Sequence, residues 1–542
     1  MRPELSADRS GRLLTFLRFF LAPFALGAIT VLGFAPFAFY FVAPATLAVL
    51  LLIWLRCSTH KTAAVIGFAF GAGFFLAGVS WVYVSLHVYG GMEMPIAAFF
   101  TLLFCLFLAC YPALVCAILL RLRASTPVRL MLLFPALWAA SEWVRSWLLS
   151  GFPWLSIGYS QVPASPLAGY APVLGVYGVS LVTAAIAGSL ACAIDGFLKR
   201  GSLPKPIRRL IASLCVAGAL VTGGALLKTH QWTQPVPGAP TSVTLLQGNI
   251  PQELKWRPER AVATLQTYLE LARSADSKLI VLPETALPML NVDVPPAYLK
   301  ALAELAVRNG GDILYGVPEL DPNGSYYNSV MSTGTGPAQT YRKYHLVPFG
   351  DYFPLRPVLG WIMHLLHIPM SDFSHGAAVQ KPMQAAGQKV AVNICYEDVF
   401  GEEVIRQLPE ATLLANFTND AWWGDTVASR QHLQMAQMRA LETGRPMLRA
   451  TNTGVTAIIG PDGQIVASAA EFTTTKVTGE VRGYQGSTPY VRWGNYAFLA
   501  VSVLMMLIGV FGDRIKIHHR GTETRRNGKT GNARSEEESK SG

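Results

Sequence analysis

Charged residues are scarce in this sequence. Only 14% of its 542 residues are Asp, Glu, Lys or Arg, 51% are hydrophobic, and the mean hydropathy is +0.35. This composition is too apolar for an ordinary soluble globular protein and indicates a membrane protein. The formal net charge is +11, but Lys and Arg lie between apolar stretches and form no basic stripe with interleaved aromatics. The charge pattern therefore argues against nucleic acid as a partner.

Cysteine is almost absent from the polar part of the chain. Six of the seven cysteines lie in or at the edge of apolar segments, and only Cys395 falls in a polar region. A lone cysteine has no disulfide partner within its own domain, so we expect Cys395 to be a free thiol. Taken alone, an isolated strand cysteine is more often a small buried hydrophobe than a nucleophile. A function for Cys395 therefore depends on its neighbours.

Nucleotide-binding motifs and repeats are missing too. We find no Walker-type phosphate loop, no GxGxxG fingerprint and no solenoid period, which argues against nucleotide-driven chemistry and repeat architectures. His364 and His367 have a spacing compatible with a metal, but they flank two leucines and no third ligand is evident. We predict no metal and no cofactor.

What the chain has in abundance is long apolar stretches. A bilayer span takes about 20 residues, and the first candidate follows several arginines without a cleavage site, so we interpret it as a retained helix. The eight candidate spans are residues 14–32, 35–55, 63–85, 95–120, 130–147, 169–195, 209–227 and 494–512.

The basic residues orient these spans. With a cytoplasmic N-terminus, the outer loops around 33–36, 86–94 and 148–168 contain no Lys or Arg, as the positive-inside rule requires. The basic residues on the inner side are then Arg56, Lys61, Arg121, Arg123, Arg129, Lys199, Arg200, Lys205, Arg208 and Arg209. We predict a membrane domain over 1–227 with seven helices, an external domain over 228–493, an eighth membrane helix over 494–512 and a disordered cytoplasmic tail over 513–542.

Region 228–493 has a different pattern, in which short Val/Ile/Leu runs alternate with turns and helical segments. This pattern predicts a layered α/β domain of about 265 residues. The predicted helices are 257–274, 296–309 and 427–443. The predicted strands are 242–248, 279–282, 312–317, 327–333, 389–394, 411–416 and 454–459.

Three ionisable groups stand where α/β folds assemble sites. Glu284 follows a strand in LIVLPET, Lys343 lies in YRKYHLVPFGDYFP, and Cys395 ends a strand in KVAVNICYED. Each alone is better explained as a surface charge or a buried thiol. Together they make chemical sense, because a carboxylate can take the thiol proton and an ammonium favours the anion. The same ammonium, with the Tyr396 N–H, could stabilise the oxyanion formed on an acyl carbonyl.

Glu, Lys and Cys at strand edges in this order resemble the nitrilase or carbon–nitrogen hydrolase superfamily. With eight membrane helices, the chain resembles the apolipoprotein N-acyltransferase family of the Gram-negative inner membrane. The resemblance runs from GFAPF at 33–37 to the last span. Its specific blocks are SEWVRSWLLSGFPWLSIGYSQ, LLQGNIPQELKW, LPET, YRKYHLVPFGDYFP, NICYED, TNDAWWGD and RALETGRPMLRATNTGVTAIIGPDG.

The resemblance implies a fold and a mechanism. The fold would be an α-β-β-α sandwich attached to a membrane bundle, with the catalytic domain on the periplasmic side. Glu284 would be the base, Lys343 the oxyanion cation and Cys395 the thioester-forming nucleophile, with Trp256, Tyr396 and Glu397 in support. Asp351 stands where the family usually has Glu, so a shorter side chain would have to orient Lys343. The implied reaction moves an acyl group from a phospholipid to the α-amine of a diacylglyceryl-cysteine.

Other features remain open. Glu142 and Arg145 lie inside the fifth apolar stretch at a spacing that allows a pair on one helix face, which is equally compatible with a functional and a structural role. Gly67 and Gly71 favour helix packing. The apolar stretch 359–370, with Trp361, is either a buried helix or a lid for acyl chains. Trp422 and Trp423 could serve the same purpose. An amidase using the same three residues, or a transporter with an external binding domain, are the alternative functions.

Overall fold

The computed structural model describes residues 16–199, 205–352 and 372–511. The predicted tail and the stretch 359–370, including Trp361, His364 and His367, lie outside these ranges.

The N-terminal half is a helical bundle. Its helices lie close to the predicted apolar stretches, but 35–55 is helical only from Val42. The main helices are Ala22–Thr30, Val42–Trp54, His60–Val79, Met94–Arg121, Phe134–Arg145, Ala171–Leu198 and Lys205–Thr229.

Four helical segments of the described chain are long and apolar enough to cross a membrane. They are His60–Val79, Met94–Arg121, Pro166–Leu198 and Ile207–Thr229. Shorter apolar helices occupy Leu17–Gly33, Val42–Trp54 and Tyr496–Phe511. The presence of helices capable of spanning a bilayer is thus established, whereas eight spans stay a prediction.

Small residues let two of these helices pack closely. A methyl group at Gly67 would collide with the backbone of Pro112, and one at Gly71 with the backbone of Ala109. The helices His60–Val79 and Met94–Arg121 therefore touch at their backbones, which confirms that Gly67 and Gly71 serve packing.

The C-terminal half contains two six-stranded sheets. The first has the order β13-β2-β3-β4-β5-β6, with β2, β3 and β4 parallel. Its strands are β2 Thr241–Gln247, β3 Leu279–Val281, β4 Asp312–Leu320, β5 Tyr326–Gly334, β6 Thr340–Arg342 and β13 Thr475–Val481.

The second sheet repeats this plan, with β8, β9 and β10 parallel and the order β12-β11-β10-β9-β8-β7. Its strands are β7 Met383–Ala385, β8 Gln388–Ile394, β9 Leu413–Thr418, β10 Met447–Thr451, β11 Ala457–Ile459 and β12 Ile465–Ser468. A small ribbon joins β1 Thr233–Pro235 to β14 Tyr484–Gly486.

The two sheets share one core, and helices cover their outer faces. Val243, Val281 and Leu314 of the first sheet pack in the same cluster as Val392 and Phe417 of the second. The helices on the outer faces are Pro258–Arg273 and Pro296–Arg308 on the first sheet and Ala428–Thr443 on the second. This confirms the α-β-β-α sandwich. Shorter helices in this half are Gln252–Lys255, Gly401–Val404 and Pro489–Trp493.

Helix Ala428–Thr443 also joins the two halves of the molecule. Its Met435 and Met438 pack in the core of the helical bundle. Gln431 Oε1 accepts from Trp154 Nε1 at 2.6 Å, and Gln434 Oε1 accepts from the backbone N–H of Ala35 at 3.0 Å. The sandwich is therefore held against the bundle by apolar and polar contacts.

Candidate active site

Cys395 lies immediately after β8, at the start of a 3₁₀ turn that runs from Cys395 to Val399. Its φ of +52° is in the left-handed region, which a residue with a side chain adopts only when the surroundings enforce it. Asn416 Nδ2 donates to the Cys395 carbonyl at 3.1 Å, and Glu397 Oε2 accepts from the Ile394 N–H at 2.6 Å. These bonds fix the backbone on both sides of the sulfur.

Glu284 follows β3 at the same end of the sandwich and is 7% exposed. Its Oε1 accepts from Asn328 Nδ2 at 2.7 Å and lies 3.5 Å from Lys343 Nζ. A side chain at Gly316 of β4 would collide with the Glu284 backbone. The loop that carries Glu284 therefore lies directly on the neighbouring strand.

Lys343 follows β6 and is 1% exposed. Its Nζ lies 2.7 Å from Asp351 Oδ2, which also accepts from the Val347 N–H at 2.8 Å. The shorter side chain of Asp351 therefore reaches Lys343. Burial works against the ammonium, but the carboxylates of Asp351 and Glu284 raise the pKa of Lys343 above its ordinary value. Lys343 is charged at every physiological pH.

Cys395, in contrast to Lys343, is uncharged in the resting protein. Burial and the nearby carboxylate of Glu284 raise the pKa of Cys395 well above that of a free thiol, although Lys343 acts against this. The resting group is a thiol, so a nucleophilic attack by Cys395 needs a base to remove its proton. The structure brings the three residues together: Glu284 and Lys343 both lie close enough to Cys395 to act on its pKa, and Lys343 Nζ lies 3.5 Å from Glu284.

Glu397 connects the turn at Cys395 to the loop at Lys343. Besides the Ile394 N–H, its carboxylate accepts from the N–H groups of Tyr344 at 2.6 Å and His345 at 3.1 Å, and from the Tyr341 hydroxyl at 3.1 Å. Burial raises the pKa of Glu397 to about 7 in spite of these donors. This predicted supporting residue lies where it can set the distance between Cys395 and Lys343.

The other predicted supporting residues lie at the edge of the site. The Tyr396 hydroxyl donates to the Gly151 carbonyl of the helical bundle at 3.2 Å. Trp256 is half-buried at the end of helix Gln252–Lys255. Its neighbour Lys255, which the sequence did not single out, is buried, and its Nζ donates to the Glu284 carbonyl at 3.1 Å.

Trp422 and Trp423 contact the helical bundle. The Trp423 ring lies 5.3 Å from that of Trp81 and 5.4 Å from that of Trp154, and the Trp422 ring lies 6.4 Å from that of Tyr89. In this conformation both residues contribute to the junction between the two halves. A lid role for them, and for Trp361 outside the described ranges, stays a prediction.

Glu142 and Arg145 hold the chain that follows their helix. Arg145 Nη1 donates to the carbonyls of Phe152 and Trp154, each at 2.6 Å, and Glu142 Oε1 accepts from the Ile157 N–H at 2.9 Å. The same segment supplies the Gly151 carbonyl that Tyr396 contacts. These contacts favour the structural role.

A second cluster of charges, absent from the sequence-based predictions, lies next to the Cys395 turn. Arg449 on β10 lies 2.9 Å from Asp420 and 3.4 Å from Asp398, and His432 lies 2.7 Å from Asp398. The sequence did contain an indication of this cluster, because Arg449 interrupts the apolar run MLRAT and a charge in a central strand needs partners. Among the described residues, no three His, Cys, Asp or Glu side chains are grouped as metal ligands.

Known families match both halves of this chain. Residues 26–189 match the apolipoprotein N-acyltransferase N-terminal domain, and residues 242–490 match the carbon–nitrogen hydrolase family. A relative named apolipoprotein N-acyltransferase, from Nitrosomonas europaea, is 51% identical over 492 residues, which cover 90% of this chain and 96% of the relative. This chain belongs to the apolipoprotein N-acyltransferase family.

Further relatives with the same name also match along nearly the whole chain. The relative from Methylococcus capsulatus is 46% identical over 89% of this chain and 94% of its own length, and that from Chromobacterium violaceum is 42% identical over 92% and 95%. Among solved structures, an amidase from Nesterenkonia sp. covers 49% of this chain and 97% of its own at 17% identity, with a TM-score of 0.35. The family assignment rests on the sequence relatives and not on that distant similarity.

Proposed function

We propose that this protein N-acylates apolipoproteins in two steps through a thioester on Cys395. As a member of its family it is a membrane acyltransferase of the carbon–nitrogen hydrolase superfamily that acts in lipoprotein maturation. The observation that carries the finer mechanism is the convergence of Glu284, Lys343 and Cys395 at one end of the sandwich, with Lys343 Nζ 3.5 Å from Glu284 and 2.7 Å from Asp351.

In the first step, Glu284 removes the thiol proton as Cys395 attacks an ester carbonyl of a phospholipid. The Lys343 ammonium and the Tyr396 N–H stabilise the oxyanion. The carbon–oxygen ester bond then breaks, and Glu284 returns the proton to the leaving alkoxide. The products are an acyl-thioester on Cys395 and a lysophospholipid.

In the second step, the α-amine of a diacylglyceryl-cysteine at the N-terminus of an apolipoprotein attacks the thioester. Glu284 accepts a proton from the amine, the carbon–sulfur bond breaks, and Glu284 passes the proton to the departing thiolate, which restores the thiol of Cys395. The product is an amide, which is more stable than a thioester, so the step runs forward. The chemistry requires no cofactor.

Both substrates carry lipid chains, which explains why the sandwich is attached to a bundle with many exposed apolar side chains, such as Phe99, Leu114 and Leu226. We propose eight inner-membrane spans, seven within 1–227 and the eighth at 494–512, a periplasmic catalytic domain over 228–493 and a cytoplasmic tail over 513–542. The absence of Lys and Arg from the predicted outer loops supports this orientation.

The test is the intact mass of the full-length protein after exposure to phospholipid vesicles without acceptor. We expect one acyl adduct, mapped by digestion to the peptide that contains Cys395. Cys395→Ala should give no adduct, whereas Cys110→Ala, a control at an exposed cysteine of the bundle, should give the same adduct as wild type. An adduct elsewhere, or none in the wild type, would overturn the thioester mechanism.

A diacylglyceryl-modified lipopeptide added to the acylated protein separates this function from an amidase. We expect the adduct to disappear as N-acylated peptide forms. Release of ammonia from a soluble amide, without acyl transfer to the lipopeptide, would instead favour the amidase alternative.

A further inference from the structure

A second lysine is buried beside the proposed nucleophile. Lys255 ends the short helix Gln252–Lys255 and is 3% exposed. Its ammonium donates to the backbone carbonyl of Glu284 at 3.1 Å. It also lies close enough to the Glu284 carboxylate and the Cys395 sulfur for both charges to act on it. Lys255 thus contacts the backbone of Glu284, whereas Lys343 lies beside its carboxylate.

The two lysines differ in their partners. Lys343 forms ion pairs with two carboxylates, whereas within the described ranges no carboxylate lies at ion-pair distance from Lys255. Burial lowers the pKa of Lys255 to about 8, and the charges of Glu284 and Cys395 limit the fall. A buried ammonium that hydrogen-bonds to a neutral carbonyl costs free energy. Packing alone gives no reason to keep a cation there in place of an apolar side chain.

The loop that carries Lys255 is fixed by amide side chains. Asn452 accepts from the Ile250 N–H at 2.9 Å and donates to the Ile250 carbonyl at 2.8 Å. Asn419, which accepts from Asn452 at 3.0 Å, donates to Gln252 Oε1 at 2.8 Å. The position of the Lys255 backbone is therefore set in advance, as an electrostatic contribution to a reaction requires.

A charge count suggests what Lys255 does. Glu284, Asp351 and Lys343 together carry one net negative charge, which opposes a thiolate or an oxyanion at Cys395. The ammonium of Lys255 brings the net charge of these four groups to zero. The ammonium of Lys255 also donates a hydrogen bond to the Glu284 carbonyl. It therefore holds the backbone of the residue whose carboxylate must reach the thiol.

We propose that Lys255 is a positioning residue of the active site, whose ammonium holds the Glu284 backbone and whose charge favours the thiolate of Cys395. The inference rests on the proposed function in that Cys395 is the nucleophile. Its effect falls on the first step, in which the carbon–sulfur bond forms and the thiol proton passes to Glu284. Lys255 itself takes no proton in that step.

The test is the pH dependence of Cys395 alkylation by iodoacetamide in the full-length protein, followed by mass spectrometry of the Cys395 peptide. In Lys255→Met, which removes the charge and the donor, we expect the alkylation rate at each pH to fall about tenfold, as a pKa higher by about one unit requires. Lys255→Gln keeps a donor for the Glu284 carbonyl without the charge and should show the same fall in rate. Lys255→Arg retains the charge and should alkylate at the wild-type rate.

The matched control is Lys300→Met, at a lysine whose side chain is 77% exposed, and it should leave the alkylation rate unchanged. With vesicles of phosphatidylethanolamine and phosphatidylglycerol, acyl-adduct formation should be about tenfold slower in Lys255→Met and Lys255→Gln than in wild type. An unchanged alkylation rate in Lys255→Gln would overturn the role of the charge. A wild-type protein that alkylates normally but forms no adduct would instead refute the proposed function, so the two failures are distinguishable.

Discussion

Two clusters of polar side chains meet at Asn416, and they differ in how their charges are paired. Asn416 donates to the Cys395 carbonyl on one side and accepts from Arg449 Nη1 at 2.8 Å on the other. The Cys395 cluster consists of Lys255, Glu284, Lys343, Asp351 and Cys395. The Arg449 cluster consists of Asp398, Asp420, His432 and Arg449, which are at most 2% exposed.

In the Arg449 cluster, each charged group contacts a group of opposite charge. Although burial opposes its ionisation, Asp420 has its pKa lowered to about 2 by Arg449 and His432. In the Cys395 cluster, the thiol has a raised pKa, and among the residues that the structure describes the ammonium of Lys255 has only a carbonyl as its hydrogen-bonded partner. We infer that the paired charges of the Arg449 cluster hold the shape of the strand ends, whereas Cys395 and Lys255, which form no ion pair among the described residues, are the groups proposed to act in the chemistry.

The largest expected effect is the loss of Arg449. Arg449→Met leaves two buried carboxylates without their guanidinium and should lower the free energy of unfolding by about 3–5 kcal/mol. The depressed pKa of Asp420 contributes stability that is present above its ordinary value of 3.8 and is lost as the pH falls towards about 2. The variant should therefore also unfold at a higher pH during acid titration.

Thermal and acid unfolding of the purified protein in detergent measure this effect. The control is Arg430→Met, since Arg430 is 51% exposed and forms a surface pair with Glu471. That change should cost less than about 1 kcal/mol. Equal losses in the two variants would mean that the Arg449 cluster does not stabilise the strand ends.

The second-largest effect is expected in the Cys395 cluster. Lys343→Met removes the proposed oxyanion cation and should lower the rate of adduct formation by about 10²–10³-fold. Single-turnover mass measurements with phospholipid give this rate directly. Adduct formation at the wild-type rate would exclude Lys343 from the stabilisation of the oxyanion.

A smaller effect is expected at Asp351. Asp351→Asn keeps the size of the side chain but removes the charge that holds Lys343, so a fall of about 10- to 100-fold in adduct formation is expected. Asp351→Glu retains the charge and should lose less, because a carboxylate still reaches the ammonium. If Asp351→Glu were the slower variant, the 2.7 Å geometry rather than the charge would be the property that matters.

The sequence could predict those strands and helices that have a clear local pattern of apolar residues. Strands β2, β4 and β8 were predicted to within a few residues because each contains an apolar run, and helix Ala428–Thr443 was predicted to within one residue. Strand β10 was missed, because Arg449 breaks its apolar run and only the fold supplies its partners. Strands β6, β7 and β12 are short and gave no signal.

The residues of the candidate site also fall into those that the sequence predicted and those that only the structure identifies. Glu284, Lys343 and Cys395 each follow a predicted strand or stand in a Gly/Pro-punctuated loop, and the structure brings them together. Asn328 and Lys255 touch Glu284 through contacts that span 44 and 29 positions of the chain. Neither residue differs locally from an ordinary polar residue, so only the tertiary structure identifies it.

The smallest effect is expected for Lys255→Met, and it distinguishes the two clusters most clearly. Lys255 has its pKa lowered from 10.5 to about 8 by burial, so between these values the unfolded chain holds more protons than the folded one. Wild-type stability should therefore rise as the pH increases from about 8 to about 10.5, and Lys255→Met should lack this rise. At neutral pH, the buried ammonium costs about 3 kcal/mol, against about 1 kcal/mol for its hydrogen bond. We expect Lys255→Met to be as stable as wild type or more stable by at most about 2 kcal/mol, measured by thermal unfolding at pH 7 and pH 10. A loss comparable to that of Arg449→Met would place Lys255 among the structural charges and remove the distinction between the clusters.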